Sequence, residues 1–287
     1  MHIEVNGTRL FFESVGTTLR MDDPPGRERP PLIVLHGGPG FDHTGLRNYF
    51  DRFADAVQVI YLDQRGNGRS ARSNPELWTL EQWGDDVRAF AAALGLVRPI
   101  VFGNSFGGFV AQAYAIANPG HARGLILSST SAHLDMAAWA RRIEDCAGAE
   151  ARAIAEAFWL EGGDEATARF AQKVLPLYMT PGDDRDRLAA RHLIRRADAA
   201  HHFYGSKGES RRFDFRPALK AITCPTLVLS GGDGDLTTPP ESARELARGI
   251  GSHCELEIFS GAKHGAFRDE PQAFDDAMRR FFARLEA

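Results

Sequence analysis

Cysteine is scarce in this chain. The three residues, Cys146, Cys224 and Cys254, are widely separated and follow no short metal-ligand spacing. An odd and sparse set of this kind argues against a disulfide framework and against a zinc site. We therefore expect three reduced thiols.

Long hydrophobic runs and an excess of positive charge are also missing. No stretch approaches the roughly 18 apolar residues that a membrane span needs, and the N-terminus lacks the pattern of a signal peptide. Lys and Arg number 34 against 38 Asp and Glu, a net charge of -4, which offers little attraction to nucleic acid or anionic lipid. These absences predict a cytoplasmic protein that acts on a small molecule or short peptide, and they leave its oligomeric state open.

Short apolar runs alternate with longer helical patterns, which is typical of parallel strands connected by helices. An Asn6-Gly7 turn predicts an antiparallel hairpin at the N-terminus. Six further runs predict buried strands, at residues 32–36, 57–62, 100–102, 124–128, 226–230 and 254–259. Helical spacing follows at residues 80–94, 106–118, 241–250 and 271–285. The fold class is therefore α/β.

This alternation stops between residues 132 and 215, where Ala, Arg and Glu dominate. Helical patterns occupy residues 136–147, 149–160, 165–178 and 184–199. We interpret residues 132–215 as a helical cap inserted into a core formed by residues 1–131 and 216–287. The segment 22–31, rich in Pro and charge, is predicted to be an exposed loop.

The clearest chemical signal is the sequence GNSFG at residues 103–107, which matches G-x-S-x-G. It follows a predicted strand and precedes a predicted helix, the context in which this motif forms the nucleophile turn of α/β hydrolases. Ser105 is therefore the predicted nucleophile. A serine hydroxyl needs a neighbouring base, and in this fold the acid and the histidine follow it in that order.

Both partners can be found downstream. His264 lies just after the last predicted strand and is the predicted general base. The preceding strand leads into the sequence GGDGDLTTPP, which offers Asp233 and Asp235. The spacing to Pro239 favours Asp235 as the acid that orients the histidine, whereas the distance from the strand keeps Asp233 open.

A developing negative charge on the substrate carbonyl oxygen needs N–H donors that are already in place. The sequence HGGPG at residues 36–40 follows a predicted strand and exposes a bare backbone. We predict that the N–H groups of Gly38 and Phe106 form the oxyanion hole.

Three motifs together resemble the proline iminopeptidase family of α/β hydrolases: HGGPG at 36–40, DQRGNGRS at 63–70 and GNSFGG at 103–108. The resemblance implies the α/β-hydrolase fold, a mostly parallel eight-stranded sheet flanked by helices with an inserted cap. It also implies a metal-free serine peptidase that releases an N-terminal residue, often proline. The nucleophile is followed by Phe106 where that family commonly has Trp.

An enzyme that removes N-terminal residues must hold a free ammonium group, and carboxylates of the cap could do so. The candidates are Glu144, Glu161 and Asp164, whose alternative role is a solvated charged helix face. Aromatic side chains of the cap could form an apolar pocket for a proline ring or an acyl group, or simply pack the cap on the core. They are Phe158, Trp159 and Tyr178, with Phe203 and Tyr204.

These residues predict a serine hydrolase that cleaves an amide or ester bond through an acyl-enzyme and needs no cofactor. A proline iminopeptidase-like aminopeptidase or amidase is the first hypothesis, and a carboxylesterase or lactonase with the same triad is the second. A perhydrolase, a carbon-carbon hydrolase and a non-catalytic ligand receptor stay open as alternatives.

Overall fold

The computed structural model describes residues 1–19 and 28–286. Its strands, β1 to β8 in chain order, are His2–Val5, Thr8–Val15, Pro31–Leu35, Gln58–Asp63, Ile100–Asn104, Gly124–Ser128, Thr226–Gly231 and Cys254–Phe259. Most of the predicted exposed loop at 22–31 lies outside the described residues.

The eight strands form one sheet in the order β1-β2-β4-β3-β5-β6-β7-β8. Strands β1 and β2 form the N-terminal hairpin and β2 runs antiparallel to β4, while the other neighbours are parallel. The central strands are buried along their whole length, as expected for a sheet covered on both faces. The predicted hairpin and the mostly parallel eight-stranded sheet are confirmed.

The helices, α1 to α11 in chain order, are Thr44–Phe50, Leu80–Ala93, Phe106–Ala117, Met136–Leu160, Gly163–Lys173, Leu175–Tyr178, Asp184–Ala190, Ala197–Tyr204, Pro240–Ile250, Ala266–Asp269 and Pro271–Glu286. Short 3-10 turns lie at Asp51–Phe53, Pro75–Leu77, Glu209–Arg211 and Arg216–Ala221. Among the described residues, no helix is long and apolar enough to span a membrane.

Strand β3 shows how the sheet divides the core. Its side chains alternate, so that Ile33 and Leu35 join the apolar cluster that includes α2, α3 and α4. Leu32 and Val34 face the opposite cluster, with α1 and α11. Both faces of the sheet are thus covered by helices, and the carboxyl ends of the parallel strands stay available for a site.

Helices α4 to α8 lie between β6 and β7, within residues 132–215, which are called the cap below. The two ends of the cap lie side by side, because His133 and Asp214 form an isolated antiparallel bridge and the N–H of Phe215 donates to the C=O of Ala132 at 2.8 Å. The chain therefore leaves and re-enters the core at one place.

Two helix predictions in the cap are wrong. The predicted helix at 165–178 is broken near Pro176, which has no N–H to donate to the preceding turn. The predicted helix at 184–199 is interrupted by the irregular stretch 191–196. There the N–H groups of Ile194 and Arg196 donate to Asp42 and to the C=O of Gly40 in the core, at 3.1 and 2.7 Å, instead of to a preceding helical turn.

Candidate active site

Ser105 occupies a sharp turn between β5 and α3. Its backbone has a φ of +53°, unusual for a residue with a side chain, and its side chain is almost buried. Gly103 makes the turn possible, because a Cβ there would lie 2.2 Å from the C=O oxygen of Gly107. The motif thus folds into the strand-turn-helix that the sequence predicts.

His264 and Asp235 meet at the carboxyl ends of β8 and β7. The imidazole Nδ1 of His264 lies 2.9 Å from both carboxylate oxygens of Asp235. Asp235 is completely buried, whereas Asp233 is exposed. Of the two aspartates that the sequence leaves open, the structure brings Asp235 to the histidine.

The carboxylate of Asp235 is fixed by a further set of donors. Its Oδ1 accepts the N–H groups of Thr237 and Thr238 at 3.0 and 2.9 Å, and its Oδ2 accepts the Thr238 hydroxyl at 2.8 Å. The backbone of His264 is fixed as well, since its main-chain N–H donates to the C=O of Tyr178 in the cap at 3.0 Å. Carboxylate and imidazole are therefore held in one relative orientation.

Residues 36–40, the glycine loop, pass beside the nucleophile. Gly38 has a φ of +123°, and its C=O accepts the hydroxyl of Tyr204 from the cap at 2.8 Å. Phe106 is the first residue of α3, so its N–H has no partner within that helix. Gly38 lines the same pocket as Ser105 and Phe106 follows Ser105 directly, so both residues predicted to form the oxyanion hole lie in this part of the site.

The loop after β4 supports the glycine loop from below. Gln64 donates its side-chain N–H to the C=O of His36 at 3.0 Å, and Asn67 accepts the N–H of Gly40 at 2.6 Å. Burial lowers the pKa of His36, which favours a neutral ring. Arg65 forms a buried two-pronged ion pair with Asp86, both contacts at 2.7 Å, so it holds the loop rather than reaching the site.

A buried ionic network lies where β4 ends at Asp63 and leads into this second loop. His43 contacts Asp63 through Nδ1 at 2.6 Å and Glu13 through Nε2 at 3.1 Å. Burial alone would lower the pKa of His43, but these two carboxylates outweigh it and raise that pKa. When the ring is protonated, it neutralises part of the negative charge that β2 and β4 bring together.

Ser105 and His264 share a pocket of about 280 Å³, covered by the cap. Its lining includes Phe158 and Tyr178, two of the aromatic residues predicted to contact substrate. Trp159, the third, does not line it and packs behind Trp139 with ring centroids 4.6 Å apart. The pocket wall next to the nucleophile is thus mainly apolar and aromatic.

The carboxylates predicted to bind an ammonium group do not reach this pocket. Glu144 is bound to Arg152 on the outer face of α4, at 2.8 Å, and Glu161 is exposed at the end of the same helix. Asp164 borders a neighbouring cavity instead. This corrects the sequence-based expectation: the helical register turns these side chains toward solvent.

Several residues of the site are not identified by any motif in the sequence as contributing to it in this way. The sequence predicts Tyr204 only as part of an apolar pocket, yet its hydroxyl holds the glycine loop. Asn104, nearly buried beside the nucleophile, has a side-chain oxygen without a partner in the described part of the chain. Arg195 and Arg196 also line the pocket. Tyr204, Arg195 and Arg196 reach the site only through the placement of the cap over the core, whereas Asn104 belongs to core strand β5.

No cluster of three or more His, Cys, Asp or Glu side chains suited to a metal ion occurs within residues 1–19 and 28–286. What the geometry offers is a serine at a strained turn, a histidine bound to a buried carboxylate, and backbone donors beside the serine. This is the constellation that serves nucleophilic acyl transfer.

The sequence also matches a known family. Residues 26–271 match the family model described as "Serine aminopeptidase, S33". The chain belongs to this family. As an S33 chain with this sheet, it has the α/β-hydrolase fold and is an enzyme of the hydrolase class, as predicted.

Three similar proteins illustrate how widely the S33 chain's relatives differ. A proline iminopeptidase of Levilactobacillus brevis is 32% identical over 276 residues, covering 88% of each chain. A thermophilic esterase from Thermogutta terrifontis has a TM-score of 0.74 at 26% identity, with all of both chains covered. The enol-lactonase from Burkholderia xenovorans LB400 has a TM-score of 0.72 at 25% identity, covering 99% of this chain and 100% of its own.

Proposed function

We propose that this chain hydrolyses esters or lactones through an acyl-enzyme on Ser105. The hydroxyl oxygen of Ser105 attacks the substrate carbonyl carbon while His264 takes its proton. The carbonyl oxygen becomes an oxyanion held by the N–H groups of Gly38 and Phe106. Asp235 keeps its charge and stabilises the imidazolium.

The intermediate collapses as the bond to the leaving group breaks. His264 returns the proton to the departing alkoxide, and the acyl group stays on Ser105. Water then attacks this ester, giving its proton to His264, and the second intermediate releases the acid as Ser105 regains its proton. Each step balances without a metal or an organic cofactor.

One observation supports an ester rather than a peptide N-terminus as substrate. Among the described residues that line the Ser105 pocket, Asp42 alone carries a carboxylate, and it is fully buried. Its oxygens already accept hydrogen bonds from Arg69, Thr44 and Ile194. An ammonium group would enter this pocket without a free carboxylate to compensate for its lost hydration.

The second candidate is the release of N-terminal residues, the first hypothesis from the sequence. The family match and the L. brevis proline iminopeptidase favour it. The aromatic wall with Trp139, Phe158 and Tyr178 suits a proline ring as well as an acyl chain. In that case the cap would have to supply an ammonium ligand by a rearrangement.

The two candidates separate in one assay. We expect the purified protein to turn over p-nitrophenyl acetate and butyrate, and to turn over proline and alanine p-nitroanilides much more slowly. Ser105→Ala is the blank. Efficient turnover of the anilides that is abolished by N-acetylation would instead establish the aminopeptidase and refute the ester assignment.

Covalent labelling tests the nucleophile independently of substrate choice. A fluorophosphonate should modify Ser105 in the native protein and leave Ser105→Ala unmodified. Failure to label the folded protein would contradict the proposed chemistry and would favour a non-catalytic ligand receptor.

A further inference from the structure

A second cavity adjoins the Ser105 pocket. It has a volume of about 530 Å³ and lies between the loop at Arg72 and helices α5 and α8 of the cap. Arg195, Arg196 and Ala197 line both cavities, so this short stretch is their common wall. A substrate group beyond the reacting carbonyl would meet this wall.

The common wall carries positive charge that the surrounding residues do not neutralise. Among the residues lining the Ser105 pocket, Arg268 is paired with Asp186 at 3.3 Å, and the carboxylate of Asp42 already accepts a hydrogen bond from Arg69. Arg195 and Arg196 have no ion-pair partner within the described part of the chain. The pocket therefore presents two uncompensated guanidinium groups.

Arg196 also has unused hydrogen-bonding capacity. Its Nη2 donates to the C=O of Gly68 at 3.1 Å, but its Nε is buried and has no partner among the described residues. Burial, followed by the positive charge of Arg196, lowers the pKa of Arg72 across the second cavity. An unsatisfied buried donor beside like charges is a site that an anion would stabilise.

The lining of the second cavity as a whole carries less net positive charge than the common wall. Arg72 is paired there with Asp198, and Asp164 also lines it. An anionic group is therefore favoured at the common wall, next to Arg195 and Arg196, rather than deeper in the second cavity.

The wall lies within reach of the reacting carbonyl. The N–H of Arg196 donates to the C=O of Gly40 at 2.7 Å, and Gly40 is two residues after the oxyanion donor Gly38. Two residues span at most about 7 Å, so the backbone at Arg196 lies near the oxyanion donor, and both arginines line the same pocket as Ser105.

We propose that Arg195 and Arg196 form a carboxylate-binding subsite, and that the substrate is an ester or lactone whose acyl part ends in a carboxylate. This inference rests on the proposed ester hydrolysis and assigns its substrate class. Guanidinium groups match carboxylates because they can donate two parallel hydrogen bonds.

Matched esters test the subsite. Mono-p-nitrophenyl glutarate and adipate carry a terminal carboxylate, and p-nitrophenyl pentanoate and hexanoate have the same chain lengths without it. We expect a higher kcat/KM for at least one anionic ester than for its neutral match. Added salt should reduce this preference, because it screens the partly exposed arginines.

Variants assign the preference to the wall. Arg195→Gln and Arg196→Gln should each lower kcat/KM for the preferred anionic ester roughly threefold to fivefold, as expected for partly exposed ion pairs. The neutral ester should change less than about twofold, and Arg196→Lys should restore part of the loss. Arg191→Gln is the matched control, since Arg191 is exposed and lines neither cavity.

The outcomes distinguish the two proposals. Ser105-dependent hydrolysis of the neutral esters with slower turnover of both anionic ones would overturn the subsite and leave the ester hydrolase intact. Equal losses for neutral and anionic esters in the arginine variants would overturn it as well. If no ester reacts, the ester hydrolase fails, and calorimetric binding of glutarate against pentanoate to Ser105→Ala and to its Arg196→Gln derivative decides the subsite alone.

Discussion

Replacing Asp235 by Asn removes one charge while keeping the shape of the side chain. In the native protein Oδ1 accepts two backbone N–H groups, from Thr237 and Thr238. Only an oxygen can accept them, so the amide oxygen of Asn must take this place. The amide NH2 then replaces Oδ2 next to the Thr238 hydroxyl, and Nδ1 of His264, 2.9 Å from both oxygen positions, meets one acceptor and one donor.

This orientation favours the wrong tautomer of the histidine, because the NH2 group donates to Nδ1. The Thr238 hydroxyl can turn and accept a proton, but Nδ1 of His264 can face the NH2 group only as an acceptor. Its other nitrogen then carries the proton and cannot remove one from Ser105. We expect kcat to fall about 10⁴-fold, equivalent to about 5.4 kcal/mol of transition-state stabilisation.

Asp233→Asn provides a matched control two residues away. It makes the same chemical change in the same loop, but Asp233 is exposed. We expect its kcat to stay within about twofold of the wild-type value. The assay is steady-state hydrolysis of a p-nitrophenyl ester, with thermal unfolding to show that both variants are folded.

Two results would refute this reasoning. One is a larger loss for Asp233→Asn than for Asp235→Asn. The other is a folded Asp235→Asn protein with more than about a tenth of the native kcat, which would mean that the amide is oriented differently or that the histidine does not act as the base.

Three further outcomes follow from contacts around the site. Tyr204→Phe keeps the ring but removes the hydroxyl that holds the glycine loop, so kcat should fall about tenfold with little change in KM; the opposite split would contradict a positioning role. Gly40→Ala should destabilise the protein by roughly 2 kcal/mol in urea unfolding, because φ is +94° and its Cβ would lie 2.6 Å from a cap carbonyl oxygen. Gly45→Ala, with nothing within 4 Å of its Cβ, is the control, and equal effects would refute the contact. Neighbouring carboxylates raise the pKa of His43 above its ordinary value of 6.5, although burial acts in the opposite direction. The charged ring therefore contributes fully to stability below pH 6.5, and this contribution is lost as the pH rises through the raised pKa. Urea midpoints should therefore fall more steeply with rising pH in the wild type than in His43→Gln, and parallel curves would exclude this ring as the cause.

The core could be predicted because its signals are local. An apolar run between turn residues forms a buried strand wherever it pairs, and the G-x-S-x-G turn around Ser105 needs only its own glycines and the flanking strand and helix. His264 was found in the same way, from its position after the last strand. The sequence favours Asp235 over Asp233 only through the spacing to Pro239, because both aspartates follow one strand, and the turn through Thr237 and Thr238 decides which carboxylate faces inward.

The cap could not be predicted to the same depth, because its contacts are tertiary. Residues 191–196 have good helix formers, yet their N–H groups pair with the core and the helix is interrupted. The sequence alone is compatible with Glu144 as a ligand and as a surface residue. Only the orientation of α4 shows that it pairs with Arg152. Hydrophobic periodicity indicates that a helix has an apolar and a polar face, but only tertiary packing determines which residues each face contacts.

Three of the contacts between the cap and the core are made by the backbone of the cap. The C=O of Tyr178 holds His264, and the N–H groups of Ile194 and Arg196 bind Asp42 and the glycine loop. Every amino acid carries that C=O, and every one except proline carries that N–H. Substitution of the side chains at these three positions by any residue except proline therefore keeps these backbone contacts, so the cap can vary the surface that it presents to a substrate while it stays attached to the proposed catalytic residues.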